Sequence, residues 1–419
     1  MITRLQARAF RLLRGIDQRL NRFQALVGPN ASGKTTFLDA IALFSDLMRN
    51  RGDVAETLRN RSRSFEQLLW KGKGESFELA LEAVIPDAVR RSMAEEKRSF
   101  DQVRYEIAIG LDGETNELGL DHETLWLIQS NGKPSTVPLD LFPAIREHAT
   151  PLSRRAGRGA KVVVRKVRGR NDNYYTEGRK TYNPSFRLGR GRSALANVPA
   201  DLQSFPVSMW FRDLLENGVQ EFVLNSQVIR QPSPPGQGRA FRSDGSNLPW
   251  VIAELRGDRK QFRDWLDHVR TALPDIEDID TVERGEDRHR YLTVRYTNGA
   301  VVPSWLVSDG TLRLLALTIP AYLKDVASTF LIEEPENGIH PRAIETVLQS
   351  LSSIYKSQVF VATHSPIALN MLEPKQVLCF AKDPDGAADI VAGHQHPALK
   401  TWKKGEPDLG VLFASGILS

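Results

Sequence analysis

The chain of 419 residues has one cysteine, Cys379. A single thiol permits no internal disulfide and no cysteine-cluster zinc site. It lies in the apolar run Val377-Leu-Cys-Phe-Ala381, where burial disfavours the thiolate, so a core residue is expected rather than a nucleophile. Long apolar runs are missing too. Runs such as Thr329–Ile332 and Val359–Ala362 fall far short of the roughly 20 residues needed to cross a bilayer. The start, Met1-Ile-Thr-Arg4, has none of the basic, apolar and small-residue pattern of a secretory signal. Neither an internal repeat nor a heptad run long enough for a coiled coil is present. These absences exclude a secreted disulfide scaffold and a membrane-spanning chain, and predict a cytoplasmic location.

The composition is 41% hydrophobic and 26% charged, ordinary for a globular protein. Its net charge of +5 is unevenly spread. Between Arg154 and Arg192 there are 13 Lys/Arg against 2 Asp/Glu, a local charge of +11 that leaves −6 for the rest. The chain is thus mildly acidic with one concentrated basic segment.

The order of patterns predicts a strand over Ile2–Phe10, a turn near Arg14-Gly15 and a strand over Phe23–Val27. Gly28-Pro-Asn-Ala-Ser-Gly-Lys-Thr-Thr36 follows, then a helical run Phe37–Phe44. Phe77, Leu79, Leu81, Ala83 and Ile85 alternate, as do Val103, Tyr105, Ile107, Ile109 and Leu111. With turns at Asp112-Gly113 and Asn131-Gly132, these predict an antiparallel sheet. The basic segment reads as a loop or hairpin. A helical pattern runs from Asn247 to Leu273, with Ser246 or Asn247 as N-cap. Further strands are expected at Tyr291–Tyr296, Thr329–Glu333, Val359–Thr363 and Val377–Ala381, and helices at Thr311–Leu323 and Arg342–Tyr355.

Gly28 to Thr35 fits G-x-x-x-x-G-K-[ST], placed between a strand and a helix as a phosphate loop requires. Such a loop turns backbone N–H groups onto phosphates, here over Gly28, Pro29, Asn30, Ala31, Ser32, Gly33, Lys34, Thr35 and Thr36. Lys34 would reach the β- and γ-phosphates of ATP, and the Thr35 hydroxyl would ligate Mg²⁺. The helix N-terminus adds its dipole. Later, the apolar strand Thr329-Phe-Leu-Ile332 ends in Glu333 and Glu334. Neighbours on a strand point in different directions, so one carboxylate can hold the metal and the other the attacking water. Glu333 is assigned to the metal and Glu334 to the water. His364 ends another apolar strand about thirty residues on, where a γ-phosphate sensor is expected.

Together with Val307-Ser-Asp-Gly-Thr311, this set resembles the ABC-ATPase superfamily. Ser308-Asp-Gly-Thr311 looks like its signature motif, with Asp309 and Thr311 in place of the transporter Gly and Gln. Such variants are similar to RecF/SMC-like and OLD-like stand-alone ATPases, as are Phe10-Arg11 and Ser243-Asp-Gly-Ser-Asn-Leu-Pro249. The likeness covers roughly residues 1–85 and 240–385. It implies an α/β fold: a P-loop ABC-type ATPase head with an antiparallel β subdomain, a helical signature lobe and a basic insertion. The core lobe is expected over 1–85 and 290–419, the insertion over 86–240 and the helical lobe over 241–325. The resemblance also implies ATP hydrolysis with Mg²⁺ and a head-to-tail homodimer or higher homo-oligomer. Ser308, Asp309 and Gly310 would then approach the γ-phosphate of a partner copy, while His364 and Lys34 serve their own chain. A glutamine reaching the metal is a further family feature, for which Gln67 is the candidate.

What the ATP serves stays open among three readings. The first is a DNA-linked sensor or motor in genome maintenance or phage defence, with Arg165, Lys166, Arg168 and Arg170 on phosphates and Tyr174, Tyr175, Tyr182 and Phe186 near bases. The second is a transporter subunit, which the long span from Lys34 to Ser308 argues against. The third is a protein-directed switch without nucleic-acid contact. The 55 residues after His364 are too few for the TOPRIM nuclease domain of OLD-like proteins. The chain therefore resembles ATPases with a separately encoded nuclease or other effector, as in PARIS-type phage defence. The tail from Thr401-Trp-Lys-Lys-Gly405 to Phe413 ends apolar and is expected to pack on its own sheet or dock on a partner.

Overall fold

Two large sheets divide the apolar residues of the chain. The computed structural model describes residues 1–419 except 131–140, 147–148, 154, 156, 158, 181, 239, 325, 327, 401–407 and 419. The first sheet has six strands, in the order Val219–Phe222, Thr329–Glu333, Gln358–Ala362, Phe23–Val27, Val377–Lys382 and Ala388–Ala392. The first five run parallel, and the last turns back antiparallel. Alternation along these strands sends side chains to opposite faces. Phe330, Ile332, Val359 and Val361 enter a core shared with the helices Leu248–Gly257, Arg259–Ala272, Asp309–Thr318 and Pro341–Ser352. Leu331, Phe360 and Ala362 enter a second core with the helix Lys34–Arg49.

That second core continues into an antiparallel sheet of eight strands. It starts with Leu13–Arg19, Ile2–Phe10, Ser76–Val84, Gln102–Leu111 and Leu118–Ile128, and ends with Ala160–Val167, Asp172–Tyr174 and Ser185–Phe186. Phe37, Ile41 and Phe44 of the Lys34 helix share a cluster with Leu5, Leu79, Tyr105 and Ile107. The helix therefore contributes to a common core with both sheets, which explains why it is apolar on nearly every face. A third sheet of three strands, Ile276–Glu283, Arg290–Tyr296 and Val301–Pro303, adjoins the helical lobe. Among the described residues, no helix is long and apolar enough to cross a membrane.

Several expectations shift. The first turn falls at Arg11-Leu12, and Leu13–Arg19 is a strand whose Leu13 and Ile16 alone carry the buried face. The expected turn at Asn131-Gly132 and the segment Thr401–Gly405 lie outside the described residues. The segment 86–240 is not set apart. Five of its strands extend the sheet that contains Ile2–Phe10, and its Val219–Phe222 lies beside Thr329–Glu333. Of the loop and the hairpin expected for the basic stretch, the strands Ala160–Val167 and Asp172–Tyr174 pair as a hairpin, with Val163, Val164 and Tyr174 buried between its charges. The long helical pattern breaks at Asp258, whose carboxylate caps the second helix by accepting from Gln261 N. The helix expected to reach Leu323 stops at Thr318 as Pro320 approaches. Cys379 is fully buried, and burial pushes its thiol up to about 12.

Candidate active site

The strand Phe23–Val27 is buried throughout and lies between two parallel neighbours. Its loop leaves at the carboxyl end of the sheet, where open α/β sheets place ligand sites. Gly28 is pressed against the adjacent strand. A Cβ there would stand 2.2 Å from the carbonyl oxygen of Phe380. Gly33, at φ 104°, makes the left-handed step that starts the helix Lys34–Arg49. Pro29, Asn30, Ala31 and Thr35 stay exposed, while Ser32, Lys34 and Thr36 are buried. The Lys34 ammonium donates to the carbonyls of Gly28 at 2.8 Å and Pro29 at 2.9 Å, folded back onto its own loop. Burial lowers its pKa from 10.5 to about 8, against the opposing charges of Glu334, Glu333 and Glu336.

At the next position, the Thr35 hydroxyl donates to Glu333 Oε2 at 3.0 Å. Burial raises the Glu333 carboxyl, the Thr35 bond opposes this, and Glu334 adds to it. Two hard oxygen donors side by side suit Mg²⁺, which takes one or two protein oxygens and fills its remaining positions with water and phosphate. No group of three or more His, Cys, Asp or Glu able to hold a metal occurs among the described residues.

Glu334 leaves the strand with φ 45°, an unusual conformation for a side-chain-bearing residue and one concentrated at functional sites. Its N–H still donates to Ala362 O at 2.8 Å. The turn separates its carboxylate from that of Glu333 and directs it to Asn337, whose amide donates to Oε2. His364 Nε2 stands 3.9 Å from Glu334 Oε1. Burial, and next the charge of Lys34, lower the His364 pKa, against the opposing charges of Glu334 and Glu336. Glu336 ties the two strand ends together. Its Oε1 accepts from the Thr363 hydroxyl at 2.8 Å and from His364 N at 2.7 Å.

Beside this cluster, a cavity of about 480 Å³ is lined by Thr35, Asp39, Arg61, Arg313 and Glu333 among others. Asp39 pairs with Arg11 and Arg61, both at 2.8 Å, and Arg61 reaches Asp46 at 2.6 Å. Sequence reasoning missed Arg61, Arg313, Glu336 and Asn337. A signal existed only for the last two, which follow the acidic pair directly.

The structure brings Lys34, Thr35, Glu333, Glu334 and His364 together and leaves other candidates elsewhere. Gln67 sits in a separate cavity with Thr36, Arg11 and Trp70, and its Oε1 accepts from the Ser62 hydroxyl at 2.6 Å. Ser308 caps the helix Asp309–Thr318 by accepting from Thr311 N. Asp309 pairs with Arg230 at 2.7 Å. Gly310 abuts the turn after the acidic pair, since a Cβ there would lie 2.6 Å from Gly338 O.

The basic candidates are corrected more sharply. Lys166 is 3% exposed and locked between Asp172 at 2.5 Å and Gly189 O at 2.9 Å, unavailable to a phosphate. Arg168 pairs with Asp112 and, at 3.7 Å, with Asp121. Arg165 and Arg170 are exposed. Tyr174 is core, whereas Tyr175, Tyr182 and Phe186 are partly exposed.

Comparison with known proteins adds a family and a fold. A family model described as "AAA domain, putative AbiEii toxin, Type IV TA system" matches residues 23–370. No curated protein matches the chain. Among solved structures, an Smc head bound to the C-winged helix domain of ScpA is similar at 14% identity and TM-score 0.52, covering 93% of this chain and 96% of that one. An Smc head with an extended coiled coil, bound to the C-terminal domain of ScpA from Pyrococcus furiosus, is similar at 13% identity and TM-score 0.50, covering 93% and 95%. At these identities the likeness speaks for the fold.

Proposed function

The chain belongs to this AAA-domain family and has the fold of an SMC-like, ABC-type ATPase head; from that premise we propose that it hydrolyses ATP with Mg²⁺ and closes head-to-tail on a second copy of itself. One observation carries the reading: Thr35 and Glu333, 298 positions apart, meet at 3.0 Å beside the loop that wraps Lys34.

In this reading the N–H groups of 30–36 and the Lys34 ammonium bind the β- and γ-phosphates. Lys34 exchanges two backbone carbonyls for phosphate oxygens. Thr35 and Glu333 would hold Mg²⁺, which supplies charge neutralisation at the phosphates. Glu334, fixed by its left-handed turn and by Asn337, orients a water and takes its proton. The water oxygen bonds to the γ-phosphorus as the bond to the ADP oxygen breaks. His364 donates a ring N–H to a γ-phosphate oxygen. Ser308 and Gly310 lie outside the cluster formed by Lys34, Thr35, Glu333, Glu334 and His364, which supports a site completed by a partner copy. Closure excludes water and strengthens every charge contact.

The coupled process is proposed to be toxin-like or anti-phage defence with a separately encoded nuclease or other effector, a reading supported by the words of the family description. DNA is the proposed trigger, through exposed cations of the basic stretch. The pairing of Lys166 and Arg168 favours a second reading, a protein-directed switch, and the ScpA-bound Smc heads offer a parallel for a protein partner. The test measures ATP turnover with and without duplex DNA, alongside the oligomeric state with and without ATP. Turnover abolished in Lys34→Ala, with an ATP-dependent dimer in Glu334→Gln, is expected. Wild-type turnover in Lys34→Ala would overturn the reading.

A further inference from the structure

A third cavity, of about 500 Å³, opens between the turn Glu95–Lys97, the strand Ala160–Val167 and the segment after Asp172–Tyr174. That volume is in the range of small-ligand sites, which run from about 300 to 1,000 Å³. Its charge is unusual. Lys97 is 7% exposed and donates to the Thr176 carbonyl at 2.8 Å. Its only carboxylate contact among the described ion pairs is Glu96, a loose 3.7 Å away and 70% exposed. Lys161 lines the same wall, and after burial its charge is the next cause lowering the Lys97 pKa. The two ammonium groups repel each other across a partly desolvated space, and for Lys97 the charges of Glu96 and the buried Glu177 offset that repulsion. An anion placed between like charges is favoured.

Arg98 and Arg179 add to the excess, against the carboxylates of Glu95 and Glu96. Arg98 spends its guanidinium on the carbonyls of Met93 and Arg91, which neutralise nothing. Elsewhere in the basic stretch Lys166 is answered by Asp172, Arg168 by Asp112 and Arg190 by Asp121. Lys161 and Arg179 line this cavity with no carboxylate partner among the described ion pairs. Tyr175, 38% exposed, presents an aromatic ring on the same wall. Phosphate-binding cations beside an open ring are the elements of nucleotide recognition.

We propose that this cavity is a second nucleotide site, in which Lys97 and Lys161 bracket a phosphate and Tyr175 stacks on the base. The phosphate comes either from a free mononucleotide or from the phosphorylated end of a nucleic-acid strand. The site does not depend on the ATPase reading. It is nonetheless wired toward the P-loop helix. Next to Thr176, the buried Glu177 caps the helix Pro206–Asn217 through Val207 N and Ser208 N. Phe211 of that helix shares a core with Phe44 of Lys34–Arg49.

The experiment is equilibrium binding of thymidine 5′-monophosphate, and of a labelled single-stranded pentanucleotide with and without a 5′-phosphate, to the full chain saturated with a non-hydrolysable ATP analogue. Lys161→Glu and Tyr175→Ala change exposed side chains and leave the core intact. The wild type is expected to bind the monophosphate or the phosphorylated strand. Lys161→Glu should weaken that binding at least tenfold, Tyr175→Ala should weaken it less, and ATP affinity should stay unchanged in both. Binding of the monophosphate identifies a free nucleotide as the source; binding of the phosphorylated strand alone identifies a strand end. No binding by the wild type, or undiminished binding by Lys161→Glu, overturns the proposal.

Discussion

The backbone N–H of His364 lies 2.7 Å from Glu336 Oε1, which also accepts from the Thr363 hydroxyl. One carboxylate thus sets how the end of one strand faces the turn after another. A hydrogen bond to a charged acceptor contributes about 1.5–3 kcal/mol. Glu336→Ala removes both bonds and frees His364 to drift from Glu334. Turnover is expected to fall roughly ten- to hundredfold with little change in KM, following the tenfold-per-1.4 kcal/mol rule. Glu336→Gln keeps one acceptor oxygen and should retain most of the rate. Steady-state kinetics of both variants decide it, and a wild-type kcat in Glu336→Ala would remove the positioning role.

Lys34 offers a pH test of the phosphate loop. Its pKa of about 8 means the empty site begins to lose the ammonium just above neutrality. Only the protonated form pairs with phosphate. ATP affinity should be flat below pH 8 and fall about tenfold per unit above it. Direct binding from pH 6.5 to 9.5 measures this. An affinity flat to pH 9.5 would show that Lys34 is not the group that meets the phosphates.

The two carboxylates of the acidic pair should separate by phenotype. Glu334→Gln keeps the loop and the Thr35–Glu333 contact, so ATP should bind normally while turnover drops by roughly 10²–10⁴, the usual contribution of a positioned base. Glu333→Gln should instead raise the Mg²⁺ concentration needed for half-maximal activity. Asn337→Ala releases one side of Glu334 and should cost less than Glu334→Gln. Single-turnover kinetics across a Mg²⁺ titration distinguish the three. Rapid hydrolysis by Glu334→Gln would exclude it as the base.

Much of this site was legible because its parts are local. The loop Gly28–Thr36, the pair Glu333-Glu334 and the strand ending before His364 each announce themselves within a few residues. The strands Ile2–Phe10, Phe23–Val27 and Thr329–Glu333 were legible for the same reason, being short runs of strand-forming apolar residues. What stayed hidden depends on contacts between distant segments. Arg61 and Arg313 border the cavity beside Glu333 only after the chain has folded. The basic stretch left a loop and a hairpin open because its arginines mask Val163, Val164 and Tyr174, and nothing local reveals that Asp172 neutralises Lys166.

Glu177 is a stability probe. It is fully buried at the start of the helix Pro206–Asn217, and burial pushes its carboxyl up to about 7, against hydrogen bonds from Ser208 and Val207. A folded pKa above the unfolded 4.5 means that the native state binds the extra proton. Its contribution is therefore fully present below pH 4.5 and fades as pH rises through 7. Glu106, held down at about 2 chiefly by hydrogen bonds and Arg104 despite burial, acts only below pH 4.5 and leaves this window clear. Glu177→Gln should flatten the decline in urea-unfolding free energy between pH 5 and pH 7.5. An equally steep decline in the variant would place the pH dependence elsewhere.

Lys166 and Arg165 are neighbours in sequence with opposite expected behaviour. Lys166 is buried against the equally buried Asp172, so Lys166→Met leaves a carboxylate in the core without its partner. Breaking such a pair costs about 3–5 kcal/mol, whereas replacing both members is far milder. Urea unfolding should show a large loss for Lys166→Met and substantial recovery when Asp172→Asn is added. Arg165 and Arg170 are exposed, and their reversal to Glu should change stability by no more than about 0.5 kcal/mol. If DNA touches this sheet edge, that same reversal lowers retention on duplex DNA and flattens its salt dependence. Loss of DNA binding by Lys166→Met alone, with stability intact, would contradict the burial and restore Lys166 as a phosphate contact.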